Sequence, residues 1–103
     1  MLRQSSAQVP ADQYVLAIEL GTSGPKVAIV SEMGEVLDCE VESTELILLP
    51  EGGAEQDPVD WWSAICKASQ RLIAKNIVPV EQIDCVAVTS QWSGTVAVDA
   101  QGK

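Results

Sequence analysis

The stretch LAIELGTSGPKVAIV, residues 16–30, constrains this chain more than any other. Two apolar runs, each too short for a helix that buries itself, are joined by Gly-Thr-Ser-Gly. Tyr14–Leu20 is apolar throughout except for Glu19, the pattern of a strand buried on both faces. Lys26–Ser31 reads the same way. SEMGEV then offers a tight turn at Gly34, so the second and third strands form a hairpin. From Val36 to Thr44 the pattern changes: Leu37, Cys39 and Val41 alternate with Asp38, Glu40 and Glu42. This suits a strand with one wet face near a sheet edge.

LLPEGGAEQDP reads as a loop by its Gly and Pro content. A helix follows, with Asp57 as N-cap, Pro58 at the first helical position and Asp60 adding negative charge in the first turn. Trp61, Ile65, Ala68 and Leu72 recur at helical spacing, Trp62 and Ile73 widen the stripe, and both tryptophans read as core. Asn76 and Pro79 close the helix. Ile83–Thr89 is another buried strand, Thr95–Asp99 alternates as a fifth, and DAQG is a turn signal. The expected fold is α/β, a mixed sheet in the order β-β-β-α-β-β with one crossover helix. A single helix covers only one face of such a sheet, so residues 13–103 read as an incomplete part of a larger domain. Residues 1–12 read as a disordered lead-in.

Bulk properties exclude several functions. Fifteen Asp and Glu against six scattered Lys and Arg give a net charge of −9. Nucleic acid needs clustered cations, and anionic membranes repel such a surface. There is no histidine, and Cys39, Cys66 and Cys85 lie far apart without a C-x-x-C pair. This excludes a zinc site and histidine base catalysis, and the dispersed cysteines among apolar neighbours read as reduced core residues in a cytoplasmic protein. No run approaches membrane-spanning length. Any phosphate must therefore be held locally, by main-chain N–H groups, hydroxyls or a metal.

The Gly-Thr-Ser-Gly segment is not a Walker loop, because the pattern is absent and a strand follows it. As a Gly-rich turn it can form an anion-binding nest, with Thr22 and Ser23 adding hydroxyls, Glu19 holding hydrated Mg2+ and Lys26 neutralising a phosphate. The alternative is a plain hairpin turn. Glu55 and Gln56 can reach substrate hydroxyls, whereas Asp57 is accounted for as a helix cap. Trp92, beside Gly94 in a loop, is either a sugar-stacking face or a buried ring.

AIELGTSGPKVAIVSEMGEVL, GGAEQDPVDWW and VAVTSQWSGTVAVDAQGK together resemble the N-terminal segment of the FGGY carbohydrate kinases over about residues 14–103. The resemblance implies the ribonuclease H-like ATPase fold shared with actin, hexokinase and Hsp70. It also implies ATP-dependent phosphorylation of a sugar or polyol. Gly21, Thr22 and Ser23 match the first phosphate loop, and Lys26 a basic residue near the ATP phosphates. Glu19 stands where the family usually has an Asp linked to Mg2+. Gln91, Trp92 and Ser93 fall in the substrate-contact segment, although Trp-Ser replaces the pairs usual in xylulokinases and glycerol kinases. Gly53 replaces a substrate-side Trp. The family's catalytic base lies downstream, so the resemblance assigns none within this chain, and turnover is expected of the full-length protein, with this chain alone inactive. A ketose such as xylulose is the expected substrate. Two alternatives stand beside this reading. One is a non-catalytic binding or assembly module, a homodimer or hetero-complex that covers its open sheet face. The other is another branch of the same ATPase superfamily.

Overall fold

The structure, a computed structural model, describes residues 12–103. Its main sheet contains β1 (Tyr14–Gly21), β2 (Gly24–Ser31), β3 (Val36–Val41) and β6 (Ile83–Ser90), in the order β3-β2-β1-β6. The first two pairings are antiparallel and β6 runs parallel to β1, so the sheet is mixed. Between β3 and β6 lie a two-stranded hairpin, β4 (Ile47–Leu48) and β5 (Ala54–Glu55), and the helix α1 (Pro58–Ala74). The disordered lead-in expected at residues 1–12 lies, except for Asp12, outside the described residues.

Antiparallel register explains the core. Leu16 sits opposite Ile29, and Ile18 opposite Val27, so these four side chains share one face of the sheet. All four are buried, and Ala68 and Leu72 of α1 close over them. Ala64 completes the buried stripe of the helix. Small residues here let α1 lie close to the sheet, and Ile65, Ile77, Val78 and Ile83 pack around the edge. Trp62, expected in the core, is instead 68% exposed on the far side of α1. The buried stripe passes through Ala64 and Ala68, a half-turn away from it.

The alternation in β3 was legible, but its direction was not. Val27 pairs with Glu40 and Ile29 with Asp38, which turns the acidic residues toward α1 and leaves Leu37, Cys39 and Val41 on the open face. Arg71 Nε lies 2.8 Å from Glu40, and its Nη1 lies 2.7 Å from Glu42. Lys75 Nζ reaches Asp38 at 2.9 Å and Glu40 at 2.6 Å. The match is geometric. Alternate strand residues advance by about 6.7 Å, and helix residues four apart by about 6 Å. Lys75, then Arg71, hydrogen-bond Glu40 and hold its carboxyl below the usual range; Lys75 and the Cys39 N–H do the same for Asp38. Both cations are shifted upward in return, chiefly by Glu40.

The strand at Ile83–Thr89 forms as expected, but it is not buried: Val86 and Val88 are 58% and 61% exposed. Of the cysteines expected in the core, Cys85 here and Cys39 on the open face of β3 are exposed, and Cys66 is half-buried. Helix α1 packs over β2 and β3, leaving the opposite edge uncovered. The segment expected as a fifth strand, Thr95–Asp99, has no ladder partner among the described residues and is not a strand. The segment 95–99 ends in a turn that occurs three times among the described residues. Ser31 N donates to Glu35 O and Gly34 N to Ser31 O, at 2.8 and 2.9 Å. Leu49 to Gly53 and Asp99 to Lys103 repeat that pair of bonds. In each turn the fourth residue is a glycine with φ between +82° and +87°. The second copy is the β4–β5 hairpin, hidden in what reads from sequence as plain loop. The Ser31 hydroxyl and the Asp99 carboxylate each accept main-chain N–H bonds from the residues two and four ahead.

The β1–β2 turn is different. Its loop, Thr22–Ser23, contains no left-handed residue, and the unusual torsion falls on Gly24 at φ +136°. A Cβ there would lie 2.0 Å from the Glu42 carbonyl oxygen. Gly24→Ala should therefore lower stability by about 1–3 kcal/mol or more, read from chemical denaturation. The charge ladder sets the pH response. Asp38 and Glu40 titrate lower in the folded chain, so their contribution is complete above about pH 4 and is lost as pH falls below it. Lys75 titrates higher, so its share is lost above about pH 10.4. Thermal midpoints should decline on both sides of that window, and Lys75→Met should flatten both limbs.

Candidate functional site

One cleft, of about 640 Å³, opens where the β1–β2 turn, the β4–β5 hairpin, the start of α1 and the segment after β6 meet. Its position follows from local sequence. Asp57 accepts a 2.9 Å hydrogen bond from Val59 N, and Pro58 begins the helix, which fixes where α1 starts. The β4–β5 hairpin supplies Leu46 and Ile47 on one wall and Glu55 on its returning arm. After β6 the chain turns through Ser93, whose φ of +53° is left-handed, and Ser93 to Ala97 form the opposite wall.

Gln56 stands at the centre. Its Nε2 donates to the Thr22 carbonyl at 2.7 Å. Its Oε1 accepts from Trp61 Nε1 at 3.2 Å and from Gln91 Nε2 at 3.1 Å. One carboxamide thus ties the β1–β2 turn, the first turn of α1 and the end of β6. Trp61, expected in the core, is half-buried and lines the cleft with its indole N–H engaged. Reading the helix stripe by apolar period missed that polar atom. The signal available was Gln56 itself, directly before the helix cap.

Of the residues singled out from sequence, Thr22, Glu55, Gln91 and Ser93 line this cleft. Gly21, Ser23, Glu19, Lys26 and Trp92 do not. Glu19 and Lys26 are direct cross-strand neighbours. Strand alternation puts them on the sheet face opposite α1, and both are exposed. Trp92 is 94% exposed beyond the cleft rim. The β1–β2 turn therefore separates two surfaces, the cleft on one side and the Glu19–Lys26 pair on the other.

The polarity of that turn suits an anion. The Thr22 carbonyl is engaged by Gln56, and the Ser23 carbonyl accepts from Thr44 N at 3.1 Å. Both carbonyls are thereby held within the protein, leaving exposed hydroxyls and main-chain N–H groups as donors. For a cation the residues offer less. Glu19 is a single carboxylate beside an ammonium, and no group of three metal-ligating side chains exists among the described residues. One carboxylate suits a hydrated Mg2+ held mainly through phosphates, not a protein cage. Among the described residues no helix is long and apolar enough to cross a membrane.

Residues 14–103 match the sequence pattern of the FGGY family of carbohydrate kinases, N-terminal domain. A glycerol kinase from Corynebacterium efficiens is 37% identical over 90 residues, covering 86% of this chain and 18% of that protein. A xylulose kinase from Bacillus subtilis is 34% identical over 89 residues, covering 84% of this chain and 17% of its own length. The crystal structure of a xyloylose kinase from Brucella ovis superposes with a TM-score of 0.82 at 25% identity, over 88% of this chain and 19% of the other. The chain thus spans less than a fifth of the length of these relatives.

Because the Asp57 cap fixes the helix start beside the cleft, Asp57→Ala should cost about 1 kcal/mol in stability, measured by denaturant unfolding. The same variant should increase hydrogen exchange at Val59 and Trp61.

Proposed function

The chain belongs to the FGGY family of carbohydrate kinases, with their actin- and hexokinase-like ATPase fold, and from that premise we propose that the protein phosphorylates a sugar or polyol hydroxyl using ATP. In this reading the chain supplies the first phosphate loop and part of the acceptor pocket. The observation that carries it is the cleft in which Thr22 of the turn meets Glu55, Gln91 and Ser93 across Gln56.

When bound, the magnesium nucleotide supplies the phosphoryl group. Phosphoryl transfer asks the protein chiefly for positioning and charge. The Gly21, Thr22 and Ser23 loop would hold phosphate oxygens through N–H and hydroxyl donors, and Lys26 would balance their charge. Glu19 would hold hydrated Mg2+. On the cleft side, Glu55, Gln91 and Ser93 would meet acceptor hydroxyls, while Trp92, beyond the rim, would offer its exposed ring to a sugar face. No general base is assigned in this chain. Asp99 already accepts the Gln101 and Lys103 N–H bonds at 2.9 Å, which ties it into its turn.

The acceptor we favour is a ketose such as xylulose. The relatives include both glycerol and xylulose kinases, so the assay must separate the two. Three free cysteines support a reducing, cytoplasmic setting. A second reading draws on the open sheet face and the exposed β6: the chain acts as a non-catalytic module that associates through that face, as a homodimer or with another protein.

In the full-length protein, ADP release from Mg-ATP should be stimulated at least tenfold by D-xylulose over an acceptor-free blank, and less by glycerol. Thr22→Ala should raise the ATP KM severalfold. Release that no sugar or polyol in a broad panel stimulates would overturn the kinase reading. Sedimentation showing a stable complex through the sheet face would then favour the module.

A further inference from the structure

We propose that Gln56 is a positioning residue that fixes which end of the Gln91 carboxamide faces the cleft, so that Gln91 accepts a hydrogen bond from a ligand hydroxyl. The inference rests on the acceptor-pocket reading for its ligand, and on hydrogen-bond geometry alone for its orientation.

Two groups that contact Gln56 have no choice of role. An indole N–H only donates, so Trp61 must meet the oxygen of the Gln56 carboxamide. A main-chain carbonyl only accepts, so Thr22 must meet its nitrogen. These two anchors sit at opposite ends of one amide and agree, which leaves Gln56 a single orientation. Its oxygen has a second lone pair, and that oxygen can only accept. Gln91 therefore turns its Nε2 toward Gln56, at 3.1 Å. The other end of the Gln91 amide, Oε1, has no protein partner among the described residues, while Gln91 itself lines the cleft.

A ligand atom that meets Gln91 Oε1 must carry a hydrogen. A hydroxyl qualifies. A keto oxygen, a carboxylate or a phosphate does not, because two acceptors would face each other. The chain thus reads an alcohol at this point of the pocket and places the carbonyl of any ketose elsewhere.

Two substitutions separate this role from mere packing. Gln56→Leu removes both the acceptor for Gln91 and the donor to Thr22. Gln56→Glu keeps an oxygen for Trp61 and Gln91 but sets a second oxygen against the Thr22 carbonyl, with Glu55 and Asp57 adding like charge nearby. In the intact protein with 15N-labelled glutamine, one Gln91 side-chain amide proton should exchange slowly. That protection should persist in Gln56→Glu and vanish in Gln56→Leu. With D-xylulose, Gln56→Leu should raise the acceptor KM about tenfold with kcat nearly unchanged. Gln56→Glu should recover most of that loss in acceptor KM while raising the ATP KM.

Should Gln56→Leu fail to fold, the nearly isosteric Gln56→Met also removes the acceptor for Gln91 and should abolish the same protection. Equal, fast exchange of both Gln91 amide protons in the wild type would overturn the proposal. So would protection or an acceptor KM that Gln56→Leu leaves intact. The exchange readout needs no turnover, so a protein inactive on every acceptor would refute the kinase reading and still decide this one.

Discussion

The seat of α1 on the β1–β2 hairpin is the contact on which the rest depends. Ala68 and Leu72, fully buried over Leu16, Ile18, Val27 and Ile29, fix how close the helix lies. Burial of this kind is non-directional and sets distance better than it sets register. Register comes from the ladder of Asp38, Glu40 and Glu42 against Arg71 and Lys75, where strand and helix spacings agree. The two together leave the first turn of α1 one position. From there Gln56 and Trp61 can reach the β1–β2 turn and the end of β6.

Much of this was legible in sequence. The β1–β2 and β2–β3 hairpins announced themselves through apolar runs broken at Gly21–Gly24 and Gly34. The helix was legible to within a residue because Asp57, Pro58 and Asn76 are chemical signals with local causes. What was not legible is what depends on a distant partner. Alternation in β3 shows two faces but not which one is covered, and the acidic face proved to be the inner one because Arg71 and Lys75 lie above it. The apolar run of β6 implies burial, yet its cover depends on which strands α1 spans. The β4–β5 hairpin was obscured because its arms are too short to show a period.

The site divides in the same way. Thr22, Glu55, Gln91 and Ser93 could be named from motif position, and the fold brings them to one cleft. Glu19 and Lys26 share a motif with Thr22, yet a two-residue period sends them to the other face of the sheet. Trp61 shows the limit of periodic reading most clearly. Its ring belongs to the helix stripe, whereas its N–H belongs to the cleft, and hydrophobic spacing registers only the ring.

The parallel pairing of β6 with β1 also bears on how the molecule assembles. The hairpins close within a few residues of themselves, and their repeated glycine turns are built from local bonds. By contrast β6 must find β1 across the whole intervening chain, and ordering so long a loop opposes that encounter entropically. Gln91 lies just past the end of β6. Docking of β6 on β1 thus also delivers Gln91 to Gln56, and the contact that completes the sheet completes the cleft.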